Sequence, residues 1–487
     1  MSIRNIQGSS IGPRHSIVAN KPSQNIYAAQ APIVAYVRPS DWRTLPTVGN
    51  TEQKFVGLHA VFPDANFLAL SAAGNYTVDW GDGTVENFFS GVQANHEYNY
   101  STYDVGGSTL CSRGYKQAIV TVTPQSDQNL TNINLNLKNS TTGLQKYASG
   151  WLDILVSGPN LTSLSISGSS AAISLYYLEQ AQLISTNSIS SMSYLFAGCA
   201  KLQSIPVLTT SSTLLTNTNY MFQNCYSLQT IPLFNTVAVT SMNYMFQNCY
   251  SLQTVPLFNT AAVTSMSAMF SYCCSIQTIP LFNTVSVTNM GYMFAYCYSL
   301  QTVPLFNTVA VTSMNYMFQN CYSLQTVPLF NTASVLDMSY MFATCYSLQT
   351  VPLFNTAAVT SMSSMFNGCY SLQSIPLFNT AAVTNMNYMF NYCYSLQTVP
   401  ALNVSAVTSS SNFSNIFNGC NNLAKISASQ FKYTFSVASC KLSADRLNEI
   451  YTNLPTVTGQ TITVTGNYGT TGDNPAIATA KGWTVTG

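Results

Sequence analysis

Charge is what this sequence has least of. Only 6% of its 487 residues are Asp, Glu, Lys or Arg, against about a quarter in an ordinary soluble protein. Between Leu202 and Ala424 the single formal charge is Asp337. A surface that neutral cannot make the many phosphate contacts on which nucleic-acid affinity rests, so nucleic acid is not an expected partner. Binding there should depend little on salt. Histidine is nearly absent too: His15, His59 and His96 are the three, and no nucleophile pattern surrounds them. A glycan-cleaving enzyme needs paired carboxylates in a cleft, which this composition does not offer, so we expect no enzymatic activity and no cofactor. No run is long and apolar enough to span a bilayer. The opening Met1-Ser2-Ile3-Arg4-Asn5-Ile6-Gln7 lacks the apolar centre of a secretory signal, so folding in a cytoplasm without membrane insertion is expected.

What the sequence has instead is repetition. Cys225, Cys249, Cys273, Cys297, Cys321, Cys345, Cys369 and Cys393 are each 24 residues apart, with looser copies at Cys199 and Cys420. A fixed period in this range is the mark of a solenoid whose coils stack along one axis. In the coil from Val239 to Asn259, Met242, Met245, Phe246 and Cys249 fall at i, i+3, i+4 and i+7, one face of a short helix. Leu252-Gln253-Thr254-Val255-Pro256-Leu257 then reads L-x-x-V-x-L, a leucine-rich-repeat strand. Each coil is therefore predicted as a helical turn and a short strand, with the strands of successive coils forming one parallel sheet. Burying an apolar side chain stabilises by roughly 1.5–3 kcal/mol, whereas fixing each residue's backbone costs roughly 1–2 kcal/mol. A 24-residue coil with eight apolar positions cannot stand alone, so stability belongs to the array.

Several rows of like residues follow from the period. Metal sites want clustered thiols at C-x-x-C spacing, and only the adjacent Cys273 and Cys274 come close. The cysteine row reads as buried, unpaired thiols packing as small hydrophobes, and no metal is expected. Asn235, Asn259, Asn283, Asn307 and their successors form a second row. It is expected to close the turn after the strand by bonding main-chain groups of neighbouring coils, the alternative being an exposed turn asparagine. Side chains alternate faces along a strand, so with Val255 and Leu257 inward, Thr254, Pro256 and Phe258 would face outward. Phe234, Phe258, Phe282, Phe306, Phe330, Phe354 and Phe378 would then make an outward aromatic row, a candidate binding surface. The alternative tucks these rings into the corner between strand and helix. A tyrosine follows the cysteine in most coils, as at Tyr226, Tyr250, Tyr298, Tyr322, Tyr346, Tyr370 and Tyr394, and its ring and hydroxyl suit carbohydrate or protein contact.

Along the chain, residues 1–50 form a mildly basic arm, with Arg4, Arg14, Lys21, Arg38 and Arg43, that is either a tail or a docking segment. Residues 51–126 read as a small all-β domain with strands at Phe55–Phe62, Phe67–Leu70, Tyr76–Trp80 and Gln117–Val122. Its Trp80-Gly81-Asp82-Gly83-Thr84 turn, the later His96-Glu97-Tyr98 and the closing strand from Tyr115 to Thr123 resemble the polycystic-kidney-disease (PKD) family. That resemblance implies an immunoglobulin-like β-sandwich in which Trp80, Asp82 and His96 are structural, and a spacer or contact role. Residues 127–198 carry irregular coils, with Leu130-x-x-Ile133-x-Leu135, Leu161-x-x-Leu164-x-Ile166 and Leu178-x-x-Ala181-x-Leu183. Residues 199–424 are the regular repeats. Residues 425–487 are predicted as a C-terminal cap. There Ser443 N-caps a helix presenting Leu447, Ile450, Tyr451 and Leu454, a strand spans Thr461–Thr465, a short helix follows Pro475, and Trp483-Thr484-Val485 is a last strand. The cap is expected to act as a lid over the open sheet edge.

Val239-Thr240-Ser241-Met242 through Leu257 spells V-T-x-M-x-x-M-F-x-x-C-x-x-L-x-x-V-x-L, which resembles the BspA-like, Treponema-type leucine-rich repeats and the related mycoplasmal surface-protein repeats. The resemblance covers roughly residues 185–430 and departs in the turn, where Asn-Thr-Val/Ala replaces the Asp and Lys that family members often carry. The fold class expected is mainly β with short helices: a leucine-rich-repeat solenoid preceded by a small β-sandwich. Such proteins are adhesins and surface structural proteins, and no catalysis belongs to the repeat. A chain that folds in a cytoplasm yet serves outside suits a bacteriophage virion, and its ends look like fibre or decoration proteins of tailed phages. The expected partners are other virion proteins, through the N-terminal region, and a host-surface glycan or protein, through the solenoid. The other reading is a bacterial cell-surface adhesin. No heptad coiled coil appears, and the oligomeric state is left open.

Overall fold

The computed structural model describes residues 35–104, 109–139, 150–167, 176–211, 213–427 and 431–487. Residues 1–34, and with them Arg4, Arg14, Lys21, His15 and most of the expected docking arm, lie outside the described residues. The described end of that arm packs on the chain's own sheet. Arg38 Nε bonds Asp153 Oδ2 at 2.7 Å, Arg113 pairs with Glu179, and both guanidinium groups lie over the buried ring of Trp42. Two of the four ion pairs among the described residues lie at this attachment.

Among the described residues the N-terminal half holds eleven strands: β1 (Lys54–Val61), β2 (Phe67–Ala73), β3 (Tyr76–Asp79), β4 (Val85–Phe88), β5 (Gln93–Glu97), β6 (Lys116–Pro124), β7 (Asn132–Asn134), β8 (Trp151–Ser157), β9 (Ser163–Ser165), β10 (Gln180–Ser185) and β11 (Ser204–Leu208). One sheet runs β11-β10-β8-β1-β6-β3-β4 and a second runs β5-β2-β7-β9. Leu68 and Leu70 of β2 share an apolar core with Phe55, Val78 and Val120 of the first sheet. No break in the sheets marks the expected boundary at residue 126. β1 pairs antiparallel with β8, and from β8 onward the same sheet grows by parallel strands, to β10 and then β11. The second sheet is extended likewise, β9 lying parallel to β7. The stack therefore begins on preformed edges.

From Ser191 to Asn385 the coils are joined by single parallel bridges, Ser241 to Ser265 and Ser265 to Asn289 among them. The parallel ladder thus sits beside the Met-Phe stretch. The L-x-x-V-x-L stretch forms strands only near the ends of the stack, in β11 and in β12 (Thr398–Val399). Proline explains the shift. Pro256 and its counterparts take one N–H out of every coil at the same height, and a sheet interior does not tolerate that. In β11, which contains Pro206, the pairing shifts register.

The predicted helix does not form. Met242, Met245, Phe246 and Cys249 are all buried, but the backbone there is a run of consecutive turns. Tyr244 and Asn248 have φ of 56° and 62°, which no right-handed helix accommodates. Alternate N–H groups of Met242, Tyr244, Phe246 and Asn248 donate to carbonyls of Ser265, Ser267, Met269 and Ser271 in the next coil, at 2.8–3.2 Å. Those of Met245, Gln247 and Cys249 close turns three residues back. An apolar spacing of 3 and 4 buries one side in either conformation, so periodicity cannot separate the two. Left-handed φ costs an L residue roughly 1–2 kcal/mol. Tyr244 offsets part of this by stacking on Tyr220, with centroids 4.7 Å apart; such pairs contribute about 0.5–1.5 kcal/mol.

After β12 the pattern changes. β13 (Lys425–Ile426) pairs parallel with β12. Then β14 (Phe435–Ser436), β15 (Gln460–Thr463) and β16 (Trp483–Thr486) form a parallel sheet in that order. Helices α1 (Ala444–Asn453) and α2 (Ala476–Thr479) occupy the connections between these strands. Ser443 Oγ accepts from Arg446 N, and Leu447, Ile450 and Tyr451 are buried. The segment extends the coils, with true helices in place of the turn run.

One buried group sets a pH dependence. His59 of β1 is fully buried against Trp151, ring centroids 5.3 Å apart, and neither ring nitrogen finds a partner. A Cβ on Gly150 would fall 2.7 Å from His59 Nε2, so glycine there admits the ring. Burial pushes the imidazole pKa down to about 3. The unfolded chain takes up this proton near pH 6.5 while the folded chain refuses it. Stability from this group is therefore complete above pH 6.5 and falls by up to about 1.4 kcal/mol per unit as pH drops toward 3. Urea unfolding followed by tryptophan fluorescence should show that slope in the wild type, and His59→Leu should flatten it.

Candidate functional site

The surface of the regular coils is a set of parallel rows, one side chain per coil, and burial decides which of them a partner can reach. The phenylalanine row is not among those. Phe234, Phe258, Phe282, Phe306, Phe330, Phe354 and Phe378 are only 1–4% exposed. The exposed row is the leucine immediately before each, Leu233, Leu257, Leu281, Leu305, Leu329, Leu353 and Leu377, at 58–64%. A three-residue turn causes the exchange. Phe258 N donates to Pro256 O at 3.0 Å, and the same bond recurs at Phe282, Phe306, Phe330, Phe354 and Phe378. This turn is centred on the leucine and slips the in–out alternation by one residue, which flips every side chain beyond it. The rings instead pack on a second phenylalanine column, as Phe258 does on Phe246 at 6.3 Å.

At ~25 cal/mol/Å², the ~1.5–3 kcal/mol of a buried leucine corresponds to roughly 60–120 Å². Seven leucines about three-fifths exposed therefore leave on the order of 250–500 Å² of apolar surface in one line. That is comparable to the largest apolar patch on a typical monomer, which is often functional. Sequence reading missed this row because Leu and Phe are adjacent and both apolar. The usable signal was the proline before them, which suits a turn and disrupts alternation.

The tyrosine rows form a second surface. Tyr298, Tyr322, Tyr346 and Tyr370 stack with centroids 4.5–4.7 Å apart, and Tyr394 continues the run at 4.8 Å. Tyr226 and Tyr250 stack at 5.0 Å and are 41% and 42% exposed. Burial, then the neighbouring Tyr346, pushes the Tyr370 hydroxyl up to about 12, so this row presents uncharged phenols near neutral pH.

The remaining rows hold coils together. The row from Cys225 to Cys393 at 24-residue spacing is buried and forms no disulfide, and each of its Sγ atoms donates to the carbonyl of a phenylalanine in the preceding coil, as Cys249 does to Phe222 at 3.1 Å. Burial raises the thiols at Cys225, Cys273, Cys297, Cys321, Cys345 and Cys393 well above their ordinary pKa, so they are poor nucleophiles. The asparagine side chains bond within their own coil. Oδ1 of Asn235, Asn259, Asn283 and Asn307 accepts from the N–H two residues on, at 3.1–3.2 Å, and all four are exposed. The link between coils belongs to the adjacent buried threonine: Thr260 Oγ1 donates to Asn283 O at 2.7 Å.

In the N-terminal half, Trp80, Asp82 and His96 do come together. His96 Nε2 lies 2.8 Å from Asp82 Oδ2, and the Trp80 and His96 rings stack at 4.7 Å. Burial works to raise the Asp82 pKa, but bonds from the Thr84 N–H and from His96 hold it below the ordinary value. Asp82 Oδ1 closes the turn on Thr84 N. Among the described residues no group of three or more His, Cys, Asp or Glu is placed to hold a metal ion.

Stacked parallel coils, mainly β, with leucine-rich-repeat-like patterning define the class: a repeat solenoid. Residues 174–278, 251–352 and 323–431 match the family described as "Mycoplasma protein of unknown function, DUF285". Together these segments cover more than half of the chain, and the chain belongs to that family. No curated protein matches it. Among solved structures it is similar to a leucine-rich repeat protein from Eubacterium ventriosum, at 17% identity over 55% of this chain and 90% of that one, TM-score 0.30. It is also similar to an internalin from Listeria monocytogenes, at 13% identity over 73% and 86% of the two chains, TM-score 0.22.

Burial separates neighbouring residues sharply enough for a direct check. On dilute protein, Phe306→Ser should lower stability by about 3–5 kcal/mol, whereas Leu305→Ser should stay within about 0.5 kcal/mol of wild type. Thermal melts followed by circular dichroism distinguish the two, and equal losses would return the leucine row to the core.

Proposed function

We propose that this protein is a non-enzymatic structural component of a phage virion, a fibre or decoration protein of head or tail, that displays its coil stack for attachment to the host surface. The N-terminal region, with its PKD-like turn at Trp80, Asp82 and His96, docks on other virion proteins. The tyrosine rows hold a host glycan or protein. The observation that carries this reading is an almost uncharged solenoid surface lined by rows of stacked phenols, the longest running from Tyr298 to Tyr394. Neutral rings and hydroxyls recognise sugars and polar protein surfaces through contact area and hydrogen bonds. Thirteen cysteines with no disulfide among the described residues support assembly in a reducing cytoplasm, with release by lysis.

The second reading is a bacterial cell-surface adhesin, favoured by the name of the family, which refers to a cellular organism. Mass spectrometry and cryo-EM of purified particles test the first: absence of the polypeptide from virions ends it. Its removal by protease from intact uninfected cells would establish the second.

Attachment itself is measurable under either reading. Tyr370→Ala with Tyr394→Ala should weaken binding of the purified protein to host cells about tenfold or more while the melting curve stays near that of wild type. Binding by the unaltered protein should change little between about 0.05 and about 0.5 M salt. A steep salt dependence would remove the neutral rows as the contact surface.

A further inference from the structure

The leucine row is separate from the tyrosine rows, and its geometry says what covers it. Seven leucines from Leu233 to Leu377 recur once per coil, so at ~4.8 Å per coil they form an apolar line roughly 29 Å long. Such a line needs a partner whose own knobs repeat at the same spacing, and a second copy of this chain meets that condition by construction. We propose that two copies pair through their leucine rows about a two-fold axis, the rows antiparallel, each leucine seated between two of the partner's as in a dry zipper.

Three observations support a second copy over another occupant. The row is flanked by the partly buried prolines and, beyond the exposed asparagines, by Val237, Val285 and Val309 at 42–49%, because residues 233, 235 and 237 face out while 234 and 236 are buried. Two leucine rows bring together on the order of 500–1,000 Å², and these flanks carry the total toward the ~1,200–2,000 Å² of a stable interface. The span holds no charge except Asp337, so nothing repels an identical surface and nothing attracts a charged one. The edge devices that keep sheet proteins apart, exposed lysines above all, are missing between Leu202 and Ala424.

The test uses the full chain. Sedimentation velocity on the wild type should give a dimer at micromolar concentration, and Leu305→Ser with Leu329→Ser should give a monomer, the dissociation constant rising at least ~100-fold, with an unchanged circular dichroism spectrum. Leu305 is the middle leucine of the seven, so the two-fold axis brings it beside its own counterpart. Leu305→Cys should therefore form a covalent dimer under mild oxidation, and Leu233→Cys should not. A monomeric wild type, which would leave the row to a different protein, overturns the proposal. So does a dimer that survives the double serine variant. Should that variant lose its fold, the cysteine pair decides: cross-linking at Leu305→Cys no faster than at Leu233→Cys overturns it equally.

Discussion

The stack depends on one exchange of hydrogen bonds. Every second N–H from Met242 to Asn248 is handed to the next coil rather than satisfied within its own. A helix would have kept those bonds to itself and left each coil a closed unit. The turn run gives them away, so a coil is complete only when another lies against it, and an unbonded main-chain group in a buried coil is costly. The positive φ angles along the run are the local cost of aiming the N–H groups forward. Where tyrosine bears that cost, ring stacking offsets it; where the stack is interrupted, Ala268 and Ser364 stand at the same angle.

Repetition also accounts for the missing charge. Stacking like coils places each residue against its own copies at roughly 4.8 Å. A charge written into the repeat would face its like at that distance, at roughly 1 kcal/mol per pair even in water and more where partly buried. Groups that both donate and accept escape the penalty. Gln223 Nε2 donates to Gln247 Oε1 and Asn248 Nδ2 to Asn224 Oδ1, each at 2.7 Å, and thiols and hydroxyls bond carbonyls one coil away. Asp337 is tolerated because it occurs once. The outer surface is left with neutral side chains in rows, and those rows are what such a protein has for recognition.

The sequence shows the period, the cysteine row, the apolar positions and most strands of the N-terminal half, but not β4, β5 or β8. Met242, Met245, Phe246 and Cys249 are inside, as their spacing requires. What failed was the conformation inferred from that spacing, since turns and helices bury the same positions. Asn259 was assigned the neighbouring coil and bonds its own, because an asparagine's partner depends on where the next backbone turns. Counting alternation through a proline made an outward phenylalanine row one of two readings; one turn at Leu257 reverses the count, and the other reading, the rings tucked inside, is what burial shows.

Period, neutrality and burial of the methionine, second-phenylalanine and cysteine columns are properties of the chain alone. They follow from composition and from side-chain spacing repeated without interruption. Which apolar row meets solvent, and that the sheets of the N-terminal half run on into the coils, were settled only in three dimensions. The reason is that both turn on where individual N–H groups find acceptors, and those acceptors lie a full coil, or a whole strand pairing, away in sequence.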